Sequence, residues 1–214
     1  MKTTRMLNAQ ELYYLAEYKN IPSLFGIPYK EPNDYTIEKL VQKNILTKKG
    51  AVSDATVVYV ELLKKYSESY KYIHIQDYIF GLAEDGLCVI LKQIGSREDV
   101  YYELLVGDAL LMVQTVLHHP IMKQSAQEYY DANLTQRKAF TYFTLGEFTL
   151  VMEIFDHAYL LEEELVIGMK NKQLYFLDSD YRFQEPTSIN AFEWLVTRIP
   201  QIQSIAEQIL TGER

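Results

Sequence analysis

Apolar residues between positions 7 and 68 recur at intervals of three and four, the spacing of a buried helix face. Leu12, Leu15 and Ala16 form the first such face. Asn8 with Glu11 has capping-box spacing, and Leu7 with Leu12 is placed as a hydrophobic staple. This predicts a helix from Asn8 to about Lys19-Asn20, ended before Pro22. The stretch SLFGIP that follows is apolar yet broken by proline and glycine, and reads as a buried joint pinned by Leu24, Phe25 and Ile27. A short helix is expected over Thr36–Lys43, with Ile37, Leu40 and Val41 inward. A longer one follows over about 54–68, capped by Ser53, with Val58, Leu62, Leu63 and Tyr66 inward.

The period then shifts to two. YKYIHIQ, YIFGLA, LCVILKQ and VYYELLV read as four strands with short links, so antiparallel neighbours. Asp108–His118 returns to helical spacing and ends at Pro120. Residues 122–133 carry a weak helical pattern. Asn133 with Gln136, and Thr144 with Glu147, have capping-box spacing. Phe148, Met152 and Phe155 suggest a helix over about 145–157, while KAFTYF fits either helix or strand. LEEELVIGM and KQLYFLDS form a hairpin around Lys170-Asn171-Lys172, and YRFQ adds a short strand. Thr187 or Ser188 caps a last helical region with Ile189, Phe192, Leu195 and Val196 inward, which Pro200 kinks or splits.

Helices, strands, helices, strands, helices: the order predicts an α+β fold, a central antiparallel sheet flanked by helices. It divides into two loosely related halves, about 1–120 and 121–214. No linker rich in Gly, Ser or Pro separates them, so a single compact domain over 1–214 is expected.

Composition narrows the chemistry. The net charge of −8 disfavours nucleic-acid phosphates and anionic membranes as partners. The single Cys88 lies in the apolar run LCVIL and reads as a buried small residue. No signal peptide and no apolar run of membrane-spanning length is present, which points to the cytoplasm. Eighteen tyrosines are too many to ignore: they suit either strands or a half-wet interface.

Candidate catalytic groups are few. His118 and His119 are adjacent, so on a helix they diverge by about 100° and poorly share a metal. Glu162–Glu164 and the pair Asp178 and Asp180 read as solvated charge, without the glycine and distal glutamate of a calcium loop. Nucleophile-elbow and phosphate-loop patterns are absent. The expectation is a protein that is not an enzyme and needs no metal or cofactor. YTIEKLVQKNILTKKGAV resembles the helix, turn and wing lead-in of winged-helix DNA binders. This makes a DNA-binding regulator on residues 35–70 the competing reading, with Lys39, Lys43, Lys48 and Lys49 as its charge.

LNAQELYYLAEY followed by NIPSLFGIPY resembles the opening of EspG-type proteins, cytoplasmic chaperones of type VII (ESX) secretion. The likeness continues through IEKLVQKNILTKKGAVSDATVVYVELLKKYSES, YIFGLAEDGLCVILKQ, GDALLMVQTVL and LVIGMKNKQLYFLDSDYRFQEPTSINAFEWLV. The Firmicute branch, with the EsaE-type chaperone of a secreted nuclease toxin, is nearest. Residues 122–157 depart from the pattern, with helices in place of part of a strand region. The resemblance implies a cytoplasmic chaperone or adaptor. It would bind a secreted helical client, a toxin or a WXG- or LXG-type protein, with the secretion machinery as a further partner, as a monomer or homodimer. The expected client contact is the β-hairpin tip IGSRED and its flank: Ile94, Ser96, Arg97, Asp99 and Tyr101.

Overall fold

The computed structural model describes residues 6–95, 99–124, 127–128, 135–178, 180–184 and 191–204. The fold is α+β, as the pattern predicts. Two compact units are distinguished. The first comprises Met1–Tyr72, Asp77–Gly107 and His157–Tyr159; the second comprises Ile73–Gln76, Asp108–Asp156 and Leu160–Arg214.

The first unit opens with three helices: α1 (Ala9–Tyr18), α2 (Asp34–Gln42) and α3 (Asp54–Ser67). The capping box at α1 is complete. The Glu11 N–H donates to Asn8 Oδ1 at 2.9 Å, and the Asn8 N–H donates to Glu11 Oε2 at 2.8 Å. Helix α2 starts earlier than the apolar spacing suggests, because Asn33 and Thr36 form a second capping box. Strands β2 (Tyr78–Leu82), β3 (Cys88–Gly95) and β4 (Val100–Gly107) follow as antiparallel neighbours. Outside β4, Leu7 exchanges both backbone hydrogen bonds with Tyr102, at 3.0 and 2.7 Å. That bridge seals part of an otherwise open edge. Helix α3 packs on these strands with Thr56, Val60, Leu63 and Tyr66 buried. Cys88 is buried in β3.

The predicted α3 face needs correction. Val58 is 68% exposed, because three-and-four spacing from Tyr66 runs back through Leu63 and Val60 to Thr56. A strict repeat of four drifts around the helix by about 40° per step.

Strand β1 (Lys71–Ile75) carries the chain from the first unit into the second. In the second unit, α4 (Leu110–His118) leads into a 3-10 turn at Pro120–Lys123 and a two-residue strand β5 (Gln127–Glu128). Helix α5 (Gln136–Thr144) has Thr135 at its N-cap position. The weak helix expected over 122–133 is therefore replaced by that turn and strand where it is described. Asn133, the expected cap, lies outside the described residues. KAFTYF is helical.

The helix expected over 145–157 is overturned: Phe148–Asp156 is strand β6. Phe148, Met152 and Phe155 mimic a helical stripe. Yet the buried set is Leu150, Met152 and Ile154, with period two, in a segment holding β-branched Thr149, Val151 and Ile154. Strands β7 (Leu161–Lys170) and β8 (Gln173–Leu177) form the expected hairpin. Asn171 and Lys172 both have positive φ, 53° and 61°, which is the two-residue turn that matches strand twist. Strand β9 (Phe183–Gln184) pairs with β8, and β5 joins β8 in parallel.

One face of this sheet buries Val166, Tyr175 and Leu177 beneath Ala139, with Tyr142 and Phe143 of α5 packed against them. Helix α6 (Ala191–Arg198) buries Ala191, Trp194 and Leu195. Phe192, expected inward, is exposed, since it lies about 200° around the helix from Trp194. The helix breaks at Ile199 and resumes at Pro200, as the proline predicts. Thr187, Ser188 and Ile189 lie outside the described residues.

A candidate interaction face and cleft on the first unit

The joint after α1 is held by tyrosines. Tyr13 Oη donates to the Ile27 carbonyl at 3.0 Å, and Tyr66 Oη donates to the Phe25 carbonyl at 2.9 Å. Tyr72 Oη donates to the Tyr66 carbonyl at 2.8 Å. The Phe25 ring lies 4.7 Å from Tyr72 and 5.2 Å from Tyr159. Burial pushes the Tyr66 and Tyr72 hydroxyls well above the ordinary tyrosine range, and neighbouring tyrosines add to it. Gly26 has φ +72°, and a Cβ there would collide with the Ile79 side chain, so this glycine is required on both counts. SLFGIP is thus a packing joint, with Leu24 and Ile27 buried.

Beside the joint, where α1 and α3 end, lies a cleft of about 240 Å³. Lys19, Ser23, Lys64, Ser67, Glu68 and Tyr159 line it. Ser23 Oγ and Tyr159 Oη are 3.1 Å apart. Its lysines are countered internally: Lys19 meets Glu61 at 2.5 Å and Lys64 meets Glu68 at 3.7 Å. The Lys19 ammonium holds the Glu61 carboxyl below its usual range.

Helix α3 continues outward from this cleft. Val57 and Val58 stand 44% and 68% exposed. Most charges along the helix close on a partner, Glu61 on Lys19, Lys64 on Glu68 and Lys65 on Asp85, while Asp54, one turn before the valines, is exposed. The outer surface of α3 therefore couples exposed apolar area with little net charge. Tyr18, Tyr29 and Tyr35, on α1, the joint and α2, are also exposed. Tyrosine use is split: Tyr66, Tyr72 and Tyr175 are fully buried, while these three face solvent.

The hairpin-tip residues divide. Ile94 and Tyr101 are cross-strand partners, both half-buried. The Lys43 ammonium sits 5.9 Å from the Tyr101 ring centroid. Asp99 is exposed, and Ser96 and Arg97 lie outside the described residues. The sequence reading missed Val57 and Val58 as surface residues. The signal lay in the helix period taken from Tyr66 rather than in a repeat of four.

The lysines of the DNA-binding alternative are partly engaged. Lys43 lies 2.7 Å from the buried Glu11 carboxylate and donates to the Met6 carbonyl at 3.0 Å, and Lys39 lies over the Tyr35 ring. Lys48 and Lys49 remain exposed. His118 and His119 serve locally. His118 Nδ1 is 2.8 Å from the Gln114 carbonyl, and His119 Nδ1 accepts from the Ile121 N–H. Burial pushes the His119 imidazole down. Among the described residues, no three His, Cys, Asp or Glu side chains converge as metal ligands. Nor, among them, is any helix long and apolar enough to cross a membrane.

A family model described as a domain of unknown function (DUF5081) matches residues 1–189. No curated protein matches the chain.

Proposed function

We propose that this chain, which belongs to the DUF5081 family, is a cytoplasmic chaperone or adaptor that holds a helical type VII secretion client before export. The observation that carries this reading is the outer face of α3, where Val57 and Val58 are exposed among charges that are mostly paired. A surface of this kind gains by covering apolar area and offers phosphate little field. It suits the apolar stripe of a partner helix. The exposed tyrosines supply rigid, half-polar contact area around it. Ile94 and Tyr101, at the base of the β3–β4 tip, form a second contact in this proposal.

Affinity capture of the tagged full chain from its native host tests the reading. Wild type brings down a secreted helical protein of the type VII system, and Val57→Asp/Val58→Asp loses it while unfolding at an unchanged midpoint. Ile94→Ser/Tyr101→Ala weakens capture if the tip also contributes. Wild type capturing no protein of that system sinks the proposal.

A further inference from the structure

Most of the chain's net negative charge belongs to the second unit. The first unit holds 13 Lys and Arg against 14 Asp and Glu; the second holds 8 against 15. Part of that excess forms a row across the sheet. Glu153 of β6 is directly opposite Glu164 of β7. His74 of β1 places Nδ1 2.6 Å from Glu153 Oε2. Asp178, just past β8, adds its charge from the far side of Glu164. Two carboxylates thus face each other across β6 and β7, and one of them also meets an imidazole.

We propose that this His74–Glu153–Glu164 row is a proton-sensitive brace, which holds the strands of the second unit more firmly in mild acid than at neutral pH. Like charges directly opposite on neighbouring strands destabilise a sheet. A proton on Glu164 removes one of the two facing charges. The Glu164 carboxyl is already biased toward that proton, by burial first and then by Glu153 and Asp178.

Lys71 of β1, three residues from His74, falls on the opposite face of the strand by alternation. Helix α5, over the same sheet, bears Arg137 and Lys138, both exposed. Arg198 of α6 is bonded to Glu163, which points away from Glu164 by strand alternation. Arg182 pairs with Asp180 at 3.4 Å, and the Asp178 carboxylate accepts the Asp180 and Arg182 backbone N–H groups.

The sign is fixed. Glu164 titrates higher in the folded chain than in the unfolded one, so folding takes up protons and stability rises as pH falls through that interval. Trp194 is the sole tryptophan, is buried in the second unit, and reports its unfolding. Urea unfolding of the full chain, followed by Trp194 fluorescence, is compared at about pH 4.5, near the ordinary glutamate value, and about pH 7.5. Relative to wild type, Glu164→Gln loses part of the gain in midpoint on going to the lower pH, whatever the sign of the wild-type difference, to which the depressed His119 imidazole contributes in the opposite direction. Where Glu164→Gln does not fold, Glu153→Gln, which removes the facing charge, serves instead and must reduce the same difference. A pH difference equal to wild type in the variant tested overturns the proposal, whatever the absolute midpoints.

Discussion

Gly168 carries a test of how the second unit is packed. A Cβ built at this position would lie well under 3.0 Å from three atoms of the Tyr175 ring, closer than real atoms approach. Tyr175 is fully buried, and its hydroxyl donates to the Tyr142 carbonyl at 2.5 Å, tying β8 to α5. Gly168→Ala must therefore push the ring aside by roughly an ångström in a core without room to spare. Overpacking of this kind costs about 1–3 kcal/mol, and weakening the bond to Tyr142 adds about 1 kcal/mol. The expected loss is about 2–4 kcal/mol, read by urea unfolding through Trp194 fluorescence. A double-mutant cycle assigns the cause. Tyr175→Val removes the ring and is itself costly, but in that background Gly168→Ala should cost less than about 0.5 kcal/mol. The same penalty in both backgrounds would refute the claim that the ring is what demands glycine.

Three further outcomes follow from other parts of the molecule. Lys43→Met strands the fully buried Glu11 carboxylate. With Lys43 itself partly solvated, the first unit should lose about 2 kcal/mol, and Glu11→Gln less, since it can keep the bond from the Asn8 N–H. Hydrogen exchange at the α1 amides would report both. Lys172→Gly relieves a left-handed residue in the β7–β8 turn and should stabilise by about 0.5–1 kcal/mol in thermal unfolding; a loss would show that the turn depends on the lysine side chain. Burial pushes the Tyr175 hydroxyl up to about 12. Its neutral form is favoured by folding, so that contribution is complete below about pH 10 and is lost as pH rises toward the folded value. Alkaline unfolding read by Trp194 should therefore be less steep in pH for Tyr175→Phe, and an unchanged slope would discount Tyr175.

Local signals were enough for much of the first unit. Asn8 with Glu11 and the alternation in β2–β4 each act over a few residues, so the chain states them directly, whereas apolar spacing alone missed the Asn33–Thr36 box that starts α2 early. The α3 surface was less legible. Its apolar residues nearly encircle the helix, and only the sheet beneath decides that Thr56 goes in and Val58 stays out.

The second unit shows the same limit more sharply. In Phe148–Asp156 both periods fit the sequence, and pairing with β7 along its length selects the strand. A backbone that can satisfy its hydrogen bonds with a neighbour does not need a helix. The row of His74, Glu153 and Glu164 was beyond sequence reasoning altogether, since 79 residues separate the histidine from its glutamate. By itself, then, the sequence determined the α+β class, the capped helices, the hairpins and the proline breaks, all short-range preferences. Tertiary structure decided which apolar residues remain outside and which charges meet, because both depend on the surface each element is packed against.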